Sequence, residues 1–173
     1  MKVMKFGGTS VGSVKSILSV RQIVEKAARR ESVIVVVSAL GGVTDQLLRT
    51  ARMARDGDEE WKVSYQQMVQ RHHSMIDTIF SDPIDKVELF NQTDALLEQL
   101  RSIFFGVNLI QDLSQRTEDV IVSYGERLSS RITARLIQGS RWYDAFTFIK
   151  TVDVGGKHVL DADVTYELVR QAF

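Results

Sequence analysis

One short run constrains this chain more than any other: "SVIVVV", Ser32 to Val37. An unbroken β-branched stretch has no polar side to turn to water. It predicts a strand covered on both faces, as strands of parallel sheets are. Upstream, Lys2–Phe6 reads as a second short strand. Between them, Val14, Ile17, Leu18, Val24 and Ala28 recur near helical spacing and predict a helix over Val14–Arg29, with Ser13 as its N-cap. Strand, helix, strand makes a right-handed β-α-β crossover with parallel strands. Both strands then end on one edge of the sheet, and each runs into a glycine pair, Gly7-Gly8 and Gly41-Gly42. Open α/β sheets bind ligands at that edge.

Further on the period changes. Trp61, Tyr65, Met68, Val69, His72, Ile76, Ile79 and Phe80 form one stripe, and Phe90, Leu97, Leu100, Phe104 and Val107 a second. "SDP" at residues 81–83 separates them. This predicts an inserted antiparallel helical hairpin over about residues 59–109. Before it, Thr44 or Asp45 is expected to cap a helix bearing Leu47, Leu48, Ala51 and Ala54, with Gly57 as its stop. After it, a helix over Glu118–Gln138 should end at Gly139. "RWYDAFTF" looks strand-like, "VDVGGKHVLDADVT" reads as a loop or hairpin, and Asp163 would cap a final helix. That helix meets Phe173 without a glycine or proline stop, so the sequence is expected to be a piece of a longer protein.

The two glycine loops raise the question of chemistry. "KFGGTSVGS" lacks the lysine that Walker A places after its second glycine, and threonine at residue 9 breaks the dinucleotide fingerprint. The physical needs of an anion site can be met otherwise. Lys5 ends a strand, Gly7 and Gly8 let backbone N–H groups approach an oxyanion, Thr9 and Ser10 add hydroxyls, and a helix begins near Ser13. The same residues also fit a tight turn beside an exposed lysine. "SALGGVTD" offers Ser38, Thr44 and another helix start at the same edge. In "VSYGERLSS", Gly125 costs a helix about 1 kcal/mol relative to alanine, which suggests a close approach by a ligand or another backbone. Glu126 beside it suits an ammonium group. A solvated Glu126 facing Arg127 or Arg131 is the plainer alternative.

Charge and composition narrow the partners. Lys and Arg together number 22, as do Asp and Glu, so no general attraction to nucleic acid or an anionic membrane is expected. Cysteine is absent, which excludes disulfides and thiolate metal sites. No signal-peptide core follows Met1, and no apolar run nears the roughly 20 residues that span a bilayer. A cytoplasmic protein is expected. His72 reads as a packed helix residue. No metal ligand set is visible: His73 and His158 have no matching cluster, and Asp153, Asp161 and Asp163 read as turn and cap residues.

Taken in order and spacing, "KFGGTSV", "VVSALGGVTD" and "SYGERLSS" resemble the aspartate kinases of the amino acid kinase family, and the resemblance covers nearly the whole chain. "WYDAFTFIKT" is similar more loosely, with Phe146 where many members carry arginine. The resemblance implies an α/β fold, a three-layer α/β/α sandwich of the carbamate-kinase-like type, of which residues 1–173 would be the N-terminal, aspartate-binding part. It implies transfer of the ATP γ-phosphoryl group to the β-carboxylate of L-aspartate, with Mg²⁺, in lysine, threonine and methionine biosynthesis. By position, Lys5, Gly7, Gly8 and Ser10 would hold ATP phosphates, Lys5 acting catalytically. Ser38 and Thr44 would line the aspartate pocket, and Glu126 would bind the substrate amine through a buried charge. Family members continue with a glycine-rich segment carrying a substrate arginine and a catalytic aspartate, a nucleotide-pocket segment and regulatory domains, sometimes with a homoserine dehydrogenase. None of these lies in residues 1–173, so this chain alone is expected to be inactive or nearly so, and the whole protein to be a homo-oligomer. The alternatives are another amino acid kinase, such as a glutamate or acetylglutamate kinase, or a non-catalytic truncated subunit.

Overall fold

The computed structural model describes residues 1–173, which divide into two compact units, Met1–Ser140 and Arg141–Phe173. In the first, β1 (Lys2–Phe6) leads through a one-turn helix α1 (Gly8–Val11) and α2 (Val14–Ala28) to β2 (Val33–Val37). The strands pair in parallel with Lys2 opposite Val33 and Phe6 opposite Val37. The crossover expected from the sequence is therefore present, with a short helix the sequence reading lacked. Ser13 caps α2 as expected: its hydroxyl accepts from the Ser16 N–H, and Ser16 returns the bond in a capping box. Ile17, Val20 and Val24 are the buried face of α2, whereas Ala28, expected there, is exposed.

The register explains a second correction. Side chains alternate across a strand, so Met4, Phe6, Val33, Val35 and Val37 share one face and Val3, Lys5, Ile34 and Val36 the other. The first set packs on the helical core. On the second, Val3 is 64% and Val36 46% exposed. The β-branched run thus has one face packed on the core of the first unit, while the other is largely exposed.

The core itself is helical. α3 (Val43–Arg55), α4 (Trp61–Ile79), α5 (Pro83–Ile110) and α6 (Gln115–Leu136) pack together and on the sheet. α4 and α5 are the two helices expected between residues 59 and 109, joined by the Phe80–Asp82 break, where Asp82 caps α5 by accepting from Ile84 and Asp85. They run antiparallel: Trp61 meets Phe104 at one end (ring centroids 6.1 Å apart), and Lys86 reaches Asp77 at the other. Tyr65 sits between them, its hydroxyl donating to the Leu97 carbonyl, and burial pushes its pKa up to about 12. Gly57 and Gly139 follow α3 and α6 with positive φ, as helix stops do.

The second unit is small. "RWYDAFTF" is not a strand. Asp144 accepts from the Phe146 N–H and starts a 3₁₀ turn, Ala145–Thr147. The hairpin reading of "VDVGGKHVL" is borne out: β3 (Thr151–Val154) pairs antiparallel with β4 (Lys157–Leu160) around Gly155-Gly156, both at positive φ as a two-residue turn requires. α7 (Ala162–Ala172) is capped by Asp161, two residues earlier than the expected Asp163. Thr165, 3% exposed, bonds both the N–H and the carbonyl of Lys150 and ties α7 to the start of the hairpin.

Candidate active site

The sheet edge builds the site. β1 and β2 stop level with each other, and the ladder runs one bond further, from Ser38 N–H to the Phe6 carbonyl at 3.1 Å. The two following loops then touch backbone to backbone. The Gly41 N–H donates to the Gly8 carbonyl at 3.0 Å. A Cβ on Gly8 would lie 3.0 Å from the Ala39 carbonyl oxygen, and one on Gly12 only 2.7 Å from the Gly8 carbonyl oxygen. Glycine is required there because any side chain would wedge the loops apart. The expected neighbouring of the loops is borne out, but the glycines divide their work. Gly8 faces the second loop, while Gly7 faces Lys5, whose Nζ lies 3.7 Å from where a Gly7 Cβ would stand.

Glu126 arrives from the other side, and Gly125 explains how. Gly125 is buried in the middle of α6, and a Cβ there would lie 2.7 Å from the Ala39 Cβ and 3.3 Å from Leu47 Cδ1. Its absence lets α6 seat directly on the second loop and on α3. The next side chain then reaches the loop backbone: Glu126 Oε1 accepts from the Ala39 N–H at 3.2 Å. Of the arginines weighed as its partners, Arg127 lies over the Tyr124 ring, 4.9 Å from its centroid, and Arg131 donates to Gln92. The burial expected for Glu126 is not found, as the residue is exposed. One carboxylate oxygen is engaged by backbone while the side chain stays in contact with solvent.

The remaining sequence candidates separate into those at this edge and one beside it. Ser38 is half-buried at the end of β2, and Thr44 is exposed in the first turn of α3. Neither Thr44 nor Asp45 caps that helix. Gly42 does, at φ +82, without a side-chain cap bond, so the Thr44 hydroxyl has no capping duty. Ser10 faces differently. It lines an open groove of about 390 Å³ with Ser13, Lys15, Ser16 and Ser19 along α2. The Ser13–Ser16 box also uses one first-turn N–H of α2, that of Ser16. The helix start next to Gly7 is that of α1, not of α2 as the sequence suggested.

Sequence reasoning missed Arg71. It lies on α4 between Met68 and His72 of the apolar stripe, and a lone arginine beside such a stripe carries no sequence signal. In the fold its Nη2 donates to the Gly41 carbonyl at 2.7 Å. The reading of His72 as a packed residue holds: it is fully buried, hydrogen-bonded through Nδ1 to the Met68 carbonyl, and burial lowers its pKa to about 4. No group of three or more His, Asp or Glu side chains converges anywhere on a common point. No helix is long and apolar enough to cross a membrane.

Three kinds of likeness bear on this arrangement. Residues 1–171 match the family model described as "Amino acid kinase family". Aspartokinase 1, chloroplastic, of Arabidopsis thaliana is 32% identical over 173 residues, covering 96% of this chain and 29% of that protein. The aspartokinase of Candida albicans is 32% identical over 142 residues, covering 79% of this chain and 26% of its own. This chain thus spans less than a third of the length of these relatives. In fold, E. coli aspartokinase III in complex with aspartate and ADP matches with a TM-score of 0.81 at 23% identity, over 99% of this chain and 37% of that one. Clostridium acetobutylicum aspartate kinase matches with a TM-score of 0.72 at 21% identity, over 99% and 35%.

Proposed function

The chain belongs to the amino acid kinase family, and from that premise we propose that it forms the aspartate-binding part of an ATP-dependent aspartate kinase. One observation carries the reading. The three segments that resemble aspartate kinases, far apart in sequence, meet at one sheet edge through the Gly41–Gly8 and Glu126–Ala39 hydrogen bonds. The aspartokinase relatives at 32% identity support it independently.

The roles follow from the chemistry of the groups. A carboxylate attacking a phosphoryl group brings two anions together, so the reaction needs charge neutralisation and alignment more than covalent help. Lys5, exposed beside Gly7, supplies a positive charge at the end of β1, where phosphate oxygens can approach without a Cβ in the way. Gly8 and Ser10 shape that loop, Gly8 through its contact with Gly41 and Ser10 through its N–H bond to the Gly7 carbonyl. Ser38 and Thr44 offer hydroxyls on the second loop. Glu126, held at one oxygen by the Ala39 N–H, keeps the other for the α-ammonium group of the amino acid. In the transfer, a β-carboxylate oxygen of aspartate forms the bond to the γ-phosphorus. The bond from that phosphorus to the β–γ bridging oxygen breaks, giving 4-phospho-L-aspartate and ADP. The residues present offer no cage for Mg²⁺, which commonly keeps waters and binds substrate phosphates. A cytoplasmic homo-oligomer acting in lysine, threonine and methionine biosynthesis completes the proposal.

The test uses the whole protein with ATP and hydroxylamine, which traps the acyl phosphate as a hydroxamate. Product with L-aspartate and little with glutamate or acetylglutamate is expected, and the reverse preference would assign another amino acid kinase. Loss of the charge in Glu126→Gln should raise the KM for aspartate about tenfold or more while the KM for ATP moves less than about twofold. Unchanged aspartate kinetics would remove Glu126 from the site.

A further inference from the structure

We infer that Arg71 of α4 is a positioning residue that holds the second glycine loop in place for the amino acid substrate; the inference rests on the aspartate kinase reading. Gly41 is clasped from two sides. Its N–H donates to the Gly8 carbonyl at 3.0 Å, and its carbonyl accepts from Arg71 Nη2 at 2.7 Å. The next residue, Gly42, takes φ +82 and starts α3, whose first turn carries Thr44. The loop is therefore a hinge point between a strand and a helix, built on two glycines that have no side chains to restrain them. Glycine-rich backbone loses the most freedom on ordering, so an external tether matters most there. The guanidinium supplies it in two ways. Its bond to the carbonyl is charge-assisted, and Nη1 lies 4.0 Å from where a Gly42 Cβ would stand, so the group also backs the turn.

The tether has a rigid base. Arg71 is partly buried on a helix whose neighbouring residues Met68, His72 and Met75 are core. α4 in turn is locked to α5 through the Trp61–Phe104 and Tyr65–Phe104 ring contacts. A helical hairpin far from the phosphate loop in sequence thereby holds the loop that leads into Thr44, the second-loop hydroxyl proposed for the amino acid. Loss of the tether should therefore loosen the amino acid side of the site and spare the nucleotide side.

The experiment compares wild type, Arg71→Ala and Arg71→Lys in the whole protein by two readouts. Steady-state kinetics should show the KM for aspartate raised about tenfold in Arg71→Ala, with the KM for ATP within about twofold and partial recovery in Arg71→Lys, as one lost charge-assisted bond implies. Hydrogen exchange should show residues 39–48 of Arg71→Ala exchanging faster, with α5 and α6 unchanged. Unchanged exchange in that segment would overturn the tether. So would exchange raised throughout the protein, or both KM values rising together, since either marks general destabilisation. If the wild type does not phosphorylate aspartate, the kinase reading fails, while the exchange measurement still decides whether Arg71 holds the loop.

Discussion

The two compact units differ in that only the first has glycines forced by close contact as well as by left-handed backbone. In Met1–Ser140, Gly8, Gly12, Gly41 and Gly125 are forced by contact: an added Cβ at any of them would stand 3.3 Å or less from another residue. In Arg141–Phe173, Gly155 and Gly156 have nothing within 4 Å of an added Cβ and are forced instead by positive φ. The histidines follow suit. His72 is fully buried and held neutral by its surroundings, whereas His158 on β4 is exposed. The lesson is that a glycine pair in sequence has two distinct meanings, close approach or left-handed backbone. At the candidate site both occur side by side, Gly41 crowded by the Gly8 backbone and Gly42 at φ +82.

The largest effect that would sharpen this contrast is a pH dependence of stability arising in the first unit alone. The folded-state pKa of His72, about 4, lies below its unfolded value near 6.5. The unfolded chain therefore binds the extra proton first as pH falls. The stability linked to a neutral His72 is fully present above pH 6.5 and is lost progressively between 6.5 and about 4, amounting to on the order of 3 kcal/mol. Urea titrations over that window should show the slope in wild type and a flatter profile in His72→Leu. An unchanged profile would mean that His72 is not the group responsible.

Next in size is Gly12→Ala. Its Cβ would meet the Gly8 carbonyl oxygen at 2.7 Å and the Gly41 nitrogen at 3.0 Å, both backbone atoms that cannot swing away. Overpacking of this kind costs about 2 kcal/mol, which thermal unfolding would register as a lower Tm. Gly156→Ala should cost about 1 kcal/mol, with asparagine at the same position costing less, because the strain there is one of left-handed backbone and not of space. If alanine and asparagine were equally harmful, crowding would be the cause and the contrast between the units would break. The smallest effect has the opposite sign. Gly106 lies within α5 with nothing near an added Cβ, so Gly106→Ala should stabilise the protein by a little under about 1 kcal/mol through helix propensity.

Much of the fold was legible because its signals are local. β1 spans Lys2–Phe6 as expected, Ser13 caps α2, Gly57 and Gly139 end their helices, and Gly155-Gly156 turn a hairpin. The failures share a cause. Thr44 and Asp45 looked like caps because their side chains suit that role, but Gly42 at φ +82 had already turned the chain into the helix. "RWYDAFTF" carried strand-like residues, and Asp144 diverted it into a 3₁₀ turn. Of the candidate site, Lys5, Gly7, Gly8, Ser10, Ser38, Thr44 and Glu126 were marked by motif. Ser10 also lines a groove along α2, and Arg71 carried no mark at all.

By itself the sequence determined the β-α-β crossover, the helix pair and the edge on which both glycine loops emerge. Alternation, helical period and turn residues act over a few neighbours and need no knowledge of the rest of the chain. The tertiary structure alone decided that Gly8 would touch Gly41, that Gly125 would admit α6 to the loop, that Glu126 would bond the Ala39 N–H in the open, and that one sheet face would go uncovered. Each of these is a distance between residues far apart along the chain, set by how the helices close on the sheet, and no local pattern encodes it.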